Sequence, residues 1–572
     1  MVRFRVENNF ITFSKFDAVA KPVQLAIIFF IISASIGLKF VHLGADSPAW
    51  FIPNDDGYHI DEGYKTFASK NLVVFDSTRW HPRDKYGGWM NGSPFTQWSF
   101  YAAFENLGLD LKNARAVNVI YFGILLIITA FFVTSRLGAG LALLAVSLFV
   151  VDPGLFQFSR RALFEIPICL LMYCGIYLIP RLHSIQPKLV ILFLGVAALV
   201  IAKMVKMSAI LYMAPAIVIV AIAQLEWGKI TKQQLLKIGI PTGLILVSLT
   251  SYFLFKVSVR ELDILGTLTN PIKLFYNPTY ALSPLILLIA YLGLMEIILK
   301  NPRAIFDDPY RVCIVSVFVI SPLILSFFTI NPPRYYVPII PAAILFIAEW
   351  THLRGIAVKE MEPPNLLCRM FAIYLFCSSV MMVVLFGNEY VLKLLPLDIG
   401  DDPGLSDVMI LKLYPVFLLM AAVTIWIILR NRKNTAQIYS LLGKATVVFL
   451  MVHIIVSIGI QSATLLKPSY DSKLIAAKII ESAGPGESVA GDWAPFFTAE
   501  SEVPSLYLHH RFHNLPDDAR ALGIDYFIYS DTYSDKRTLA SLRENPGVNL
   551  SQPGYLGNYL GREISIYRMS YQ

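Results

Sequence analysis

Residues 116–134 read AVNVIYFGILLIITAFFVT. No charge interrupts the run. Wound as an α-helix at about 1.5 Å per residue, it is about as long as a bilayer's hydrocarbon core is thick, about 30 Å. The same reading on either side predicts further spans at 22–42, 138–151, 162–180, 189–204, 208–225, 238–256, 281–299, 312–329, 337–350, 366–387, 411–429 and 446–465. The expected fold class is an α-helical polytopic membrane protein with about 13 transmembrane helices. The first run follows a basic, Phe-rich segment but is long and lacks a small-residue cleavage site, so it reads as a retained anchor.

Composition agrees with that count. Of the 572 residues, 56% are hydrophobic and only 15% charged, against about 25% charged in a soluble domain. The chain has too little charge to cover a large wet surface, which excludes a conventional soluble enzyme and a disordered chain. The formal charge of +8 is explained by where Lys and Arg sit. Arg3, Arg5, Lys15, Lys21, Arg136, Arg181, Lys229, Lys300, Arg354, Arg430 and Arg432 alternate with spans in a way that places the N-terminus in the cytoplasm. An odd number of spans then places the C-terminus outside the cytoplasm. No basic face interleaved with aromatics is present, so nucleic acid is not an expected partner. All five cysteines fall in or beside spans, and no disulfide framework or CxxC zinc pair is seen.

Two wet segments lie on the expected outer side. One is the loop 43–115. The other is the tail 466–572, where helix-like stretches (470–483, 517–522, 536–544) alternate with strand-like ones (488–490, 526–529, 563–567). The expected organisation is a membrane module over 1–465 and a small extracytoplasmic α/β domain over 466–572.

The loop contains PNDDGYHIDEGY (53–64), with Asp55, Asp56, Asp61 and Glu62 close together and His59 among them. So many like charges repel unless a cation is bound or one carboxyl keeps its proton. Such a group can act as a base toward a hydroxyl or amine, and it also suits Mg²⁺ or Mn²⁺. A solvated acidic loop has the same composition. Other segments bring ionisable groups to the same side: Arg160, Arg161 and Glu165 in SRRALFE (159–165), Lys203 and Lys206 in AKMVKMS (202–208), and Arg334, Tyr335 and Tyr336 in NPPRYY (331–336). Ionisable groups at membrane depth usually face a cavity or a partner, though each cation alone can snorkel to the interface. Together they suit an anion such as a lipid phosphate. Asp61, Glu165, Lys206 and Arg334 are therefore expected to share one cavity.

In order, Asp61-Glu62-Gly63-Tyr64 with Ala68, Arg160 or Arg161 with Glu165, Lys206 with Ser208, and Arg334-Tyr335 with Pro338 and Pro341 resemble the motifs of polytopic type-C glycosyltransferases. The protein O-mannosyltransferase and lipid A aminoarabinose transferase superfamily is the nearest likeness. The resemblance implies an inverting transfer from a polyprenyl- or dolichyl-phosphate sugar to a lipid, glycan or protein acceptor at the non-cytoplasmic face of the cell membrane. It implies Asp61 as base, with Glu62 and Glu165 as further catalytic carboxylates. Lys203, Lys206, Arg334, Arg160 and Arg161 become candidates for the donor phosphate, and Asp55, Asp56, His59, Tyr64, Tyr335 and Tyr336 for lining the substrate. The chain departs from the pattern where the aminoarabinose branch has Lys-Pro and this sequence has Ser93-Pro94; Lys85 or Arg83 is a substitute. It also lacks the β-trefoil of the mannosyltransferase branch. A transporter or flippase of envelope precursors, or a non-catalytic envelope scaffold, are the alternatives. Transporters usually repeat their halves and break helices at mid-membrane, and no internal duplication is seen.

Overall fold

The computed structural model describes residues 5–7, 10–12, 19–46, 57–86, 93–223, 283–327, 333–355, scattered positions over 368–382, and 435–572 apart from 485, 512 and 513. Asp55 and Asp56, and the expected spans at 238–256 and 411–429, lie outside them. A short antiparallel hairpin, β1 (Arg5–Glu7) with β2 (Phe10–Thr12), precedes the first long helix, α1 (Lys21–Phe40).

The apolar runs among the described residues are helical. After α1 and the two helices of the wet loop, α2 (Gly57–Phe75) and α3 (Pro94–Leu107), come α4 (Leu111–Leu137), α5 (Ala139–Val151) and α6 (Pro153–Ser159). The bundle continues with α7 (Glu165–Ile185), α8 (Pro187–Met204), α9 (Ala209–Ala223), α10 (Pro284–Lys300), α11 (Pro309–Val315), α12 (Ile339–Gly355) and α13 (Thr435–Leu466). Among the described residues, five helices are long and apolar enough to cross a membrane, or six if α5 and α6 make one bent span. The expected span at 138–151 is half of that pair, which bends by 64°. Pro153 has no N–H to continue the helical ladder, and the Asp152 side chain caps the new start by accepting from Leu155 N at 2.8 Å. Exposed Phe29, Phe30, Phe131, Val448 and Ile455 mark the side of the bundle turned to lipid.

At one end the bundle is tied by ion pairs: Arg136 to Asp308 and Glu349, Arg311 to Glu349, and Arg354 and Lys300 to Glu296. At the other end sits the C-terminal segment, where β3 (Val489–Ala490), β4 (Ser505–Leu506), β5 (Tyr526–Ser530), β6 (Val548–Leu550) and β8 (Arg562–Tyr571) form a sheet in the order β4-β3-β5-β8-β6, with β7 (Gly554–Tyr559) also on β8. The first three are parallel, and β8 runs antiparallel to β5, with Phe527 opposite Tyr567. Side chains alternate between the sheet's faces. Val489, Ile528, Ile564 and Ile566 join the core shared with the bundle, through α14 (Asp471–Ser482) and α15 (Ala494–Phe497). Ala490, Phe527, Tyr567 and Met569 pack instead with Leu522 of α16 (Ala519–Leu522) and Leu539 and Leu542 of α17 (Tyr533–Glu544). The strands and helices expected from the tail sequence are present at nearly the expected positions.

Candidate active site

Within the wet loop, the described part of the acidic stretch is helical. Its DEGY stretch is the first turns of α2, and the helix is clamped from three directions. Gln97 on α3 donates to Lys65 O at 2.5 Å and accepts from Ser69 Oγ at 2.6 Å. Gly63 meets α15 so closely that a Cβ there would lie 2.3 Å from Phe496 N. Lys70 Nζ donates to Thr498 O at 2.7 Å and Val503 O at 2.9 Å.

Successive residues on a helix point about 100° apart, so Asp61 and Glu62 face different surroundings. Asp61 faces the bundle, where its Oδ2 lies 2.5 Å from Arg334 Nη1. Arg334 and Tyr335 stand on a tight turn, Pro333–Tyr336, just before α12. Lys206 lies in the break between α8 and α9, and its Nζ meets Glu165 Oε1 at 2.7 Å. Glu165 is the first residue of α7. The Tyr335 ring joins the two pairs, with Lys206 Nζ 4.7 Å and the Arg334 guanidinium carbon 5.7 Å from its centre. Tyr212 and Tyr173 hold this turn by donating to Tyr335 O and Pro338 O. Glu165 is buried, and its Oε2 has no hydrogen-bond partner among the described residues.

The sequence reading missed Lys65. One turn beyond Asp61, its side chain is buried against the Phe164 ring and feels the charges of Asp61, Lys206, Arg334 and Glu165. Burial pulls its pKa down to about 8, while Asp61 opposes the fall. Its i+4 spacing from Asp61 was the available signal. Lys65, Lys206 and Arg334 against Asp61 and Glu165 leave one excess positive charge, a surplus suited to one anionic ligand.

Several expected site residues make their contacts with the surrounding scaffold. Glu62, read as catalytic, is fully buried and takes Arg115 Nε at 2.9 Å and Nη2 at 2.7 Å, Arg161 Nη1 at 3.2 Å and Ala162 N at 2.8 Å. Burial favours its neutral form, yet the two guanidiniums and these hydrogen bonds outweigh that and hold its pKa at about 2. Arg161 is thus turned to Glu62 rather than to a phosphate. Arg160 caps the end of α1, donating to Lys39 O at 3.0 Å, Val41 O at 2.8 Å and His42 O at 3.0 Å. Tyr64, expected to line the substrate, donates to Asp492 O at 2.5 Å and packs on Tyr86 and Tyr507. Tyr336 is buried and Lys203 exposed at the end of α8. Lys85 pairs with Asp518 of the C-terminal segment at 2.7 Å. His59 lies in the first turn of α2. Among the described residues no three His, Cys, Asp or Glu side chains gather to hold a metal ion, so the Mg²⁺ or Mn²⁺ expectation finds no donor set there.

The family model described as dolichyl-phosphate-mannose-protein mannosyltransferase matches residues 85–261. In structure, the chain is similar to ArnT from Cupriavidus metallidurans bound to undecaprenyl phosphate, at 14% identity and TM-score 0.50, covering 95% of this chain and 98% of that one. The apo state of the same protein matches at 12% identity and TM-score 0.50, again over 95% and 98%. No curated protein matches the chain in sequence. The motif resemblance to type-C glycosyltransferases is borne out by the family model and by the shared fold.

Proposed function

We propose that this chain moves a sugar from a polyprenyl- or dolichyl-phosphate donor to an acceptor at the non-cytoplasmic face of the membrane, with inversion at the anomeric carbon. The observation that carries this reading is the joining of Asp61–Arg334 and Glu165–Lys206 around Tyr335, with Lys65 alongside, at one end of a bundle of apolar helices. A lipid donor reaches such a place through the bilayer and a water-soluble acceptor through the wet end. The likeness to an ArnT bound to undecaprenyl phosphate supports the donor class.

In this mechanism Lys65, Lys206 and Arg334 hold the donor phosphate, and their attraction grows as negative charge develops on the leaving group. The acceptor hydroxyl attacks the anomeric carbon from the opposite side. A bond forms from acceptor oxygen to that carbon while its bond to the phosphate oxygen breaks, and the electron pair leaves with polyprenyl phosphate. The acceptor proton passes to Asp61. The open Glu165 Oε2 accepts a hydrogen bond from the acceptor and orients it. One displacement with one base gives inversion, the logic of inverting glycosidases.

The test is purified chain supplied with a panel of undecaprenyl- and dolichyl-phosphate sugars, with polyprenyl phosphate release and the product's anomeric configuration measured. Release lost in a folded Asp61→Asn variant, with an inverted product from the unaltered chain, is expected. Full release by that variant would remove Asp61 as base, and retained configuration would remove the single displacement.

A further inference from the structure

The strand order of the C-terminal sheet creates a topological switch point. β3 connects to β4 on one side, and the chain then crosses back to β5 on the other side of β3. All three strands are parallel, so their carboxyl ends share one edge. Ligands of open α/β sheets bind at that edge, where the connections diverge. Here the divergence lies between β3 and β5. Gly491 follows β3 directly, at φ +139°, and a Cβ there would sit 2.5 Å from Ile528 O, so only glycine lets the chain turn out at this point. The next residue is Asp492. From the end of β5 comes Asp535, whose Oδ2 accepts from Ser530 N at 2.8 Å and Ser530 Oγ at 2.6 Å.

Both carboxyls are at least nine-tenths buried; Ser534 lies beside Asp492 and the Asp492 backbone beside Asp535, yet Oδ1 of each lacks a well-formed hydrogen bond among the described residues. An acceptor orphaned in a buried place is costly to the fold. A band of rings runs along the same edge. Tyr507 packs on Tyr64 at 4.6 Å, His509 stacks on Tyr507 at 5.7 Å and on His510 at 4.4 Å, and Tyr533 meets His510 at 6.1 Å. Neither ring nitrogen of His510 has a partner among the described residues.

We infer that this edge, built from Asp492, Asp535, Tyr507, His509 and His510, is a subsite for a neutral, hydroxyl-rich acceptor, that is, a carbohydrate. The inference rests on the proposed transfer reaction and names its acceptor class. Aromatic rings suit the C–H side of a sugar ring, and the buried, unpartnered carboxyl and imidazole atoms suit its hydroxyls. The Asp535 carboxyl, pushed up only to about 6 and so ionised at neutral pH, disfavours an anion, and the charges of Arg511 and Arg537 beside His510 disfavour a cationic peptide. Burial, and then Asp535, push the Asp492 carboxyl well above the usual range, so it both donates and accepts, as hydroxyl partners require. The subsite adjoins the reaction centre. Tyr64 OH donates to Asp492 O one helical turn beyond Asp61, and Tyr507 feels the charges of both Asp492 and Asp61.

Binding of the full-length chain in nanodiscs to an array of immobilised neutral oligosaccharides, with a lysine-rich peptide and a sulfated oligosaccharide alongside, tests it. No lipid donor is present, so failure of the transfer reaction is read separately from failure of the subsite. The unaltered chain is expected to hold a neutral oligosaccharide. Asp492→Asn, near-isosteric with a protonated carboxyl, and His510→Ala, at a half-buried position, are each expected to weaken it at least tenfold while melting as the unaltered chain does. Absence of neutral-oligosaccharide binding, preference for the peptide or the sulfated sugar, or binding that survives both substitutions would overturn the inference.

Discussion

Glu62 receives two nitrogens of Arg115, at 2.9 and 2.7 Å, in a pocket closed to water. Its neighbour Asp61 turns the other way, to Arg334. One acid of the DE pair holds the architecture and the other faces the candidate reaction centre. Removing one partner of a buried pair costs about 3–5 kcal/mol, because the survivor is left charged and unpaired. Glu62→Gln and Arg115→Met are therefore expected to lower the thermal midpoint and the yield of folded protein. Asp61→Asn is expected to remove transfer while leaving the midpoint within a few degrees. Thermal melts beside turnover on the three variants check this; equal melting losses in all three would show that the two acids share one role.

The same pair sets an acid limit. Glu62 has its pKa lowered from 4.5 to about 2 in the folded chain, so the folded state binds the proton less well than the unfolded one. Its contribution is fully present above about pH 4.5 and is lost as pH falls toward 2, a difference of about 3 kcal/mol at about 1.4 kcal/mol per unit. The expected outcome is a fall in stability across that window that is blunted in Glu62→Gln, measured by melts at stepped pH.

Lys65 gives an alkaline limit on donor use. Its pKa, lowered by burial from 10.5 to about 8, means its charge is lost as pH rises through about 8. Donor affinity then falls, by up to about tenfold per unit. The stability sign is opposite: between about 8 and 10.5 the unfolded chain holds more protons than the folded one, so this group's contribution to stability rises with pH. A donor KM that climbs above pH 8 without loss of fold is expected, and Lys65→Arg, which stays charged, is expected to flatten the climb.

The bundle was legible in the sequence because its signal is local. A run such as 116–134 needs only its own composition to declare a helix, and helix α4 encloses it. The tail's strands were legible for the same reason, from short aromatic and β-branched runs such as Tyr526–Tyr529. What escaped was decided by contacts distant in sequence. Nothing local separates Asp61 from Glu62; Arg115 and Arg334 do. Arg160 and Arg161 read as cavity cations because their charge was visible, while the carbonyls of α1 and the Glu62 carboxylate that absorb them were not. Lys65 was not singled out because its burial depends on Phe164 and on α3.

Gly63 ties the motif to the C-terminal segment. A methyl group in its place would lie 2.3 Å from Phe496 N and 2.4 Å from Phe496 Cα, against backbone that cannot rotate away. Gly63→Ala must push α15 off α2, a cost of about 1–3 kcal/mol or more by overpacking. Hydrogen exchange is expected to rise in 494–503 and around Lys70, whose ammonium bonds Thr498 O and Val503 O across the same contact. Unchanged exchange there would mean that the two segments are not held by this approach.

Glu165 separates acceptor orientation from donor holding. Its Oε1 is taken by Lys206 at 2.7 Å, and its Oε2 is buried without a partner among the described residues. Glu165→Gln keeps the size but exchanges one acceptor for an NH₂ donor and removes the charge that balances Lys206. The site's excess positive charge then increases, so donor phosphate binding should hold or tighten. Orientation of the acceptor hydroxyl should fail, lowering kcat by about 10²–10⁴-fold if that hydrogen bond assists proton removal. Steady-state kinetics with donor and acceptor varied separately give the decision. A fall in kcat with donor KM unchanged or reduced is the expected result, whereas a large rise in donor KM with kcat intact would move Glu165 from acceptor orientation to the donor side of the site.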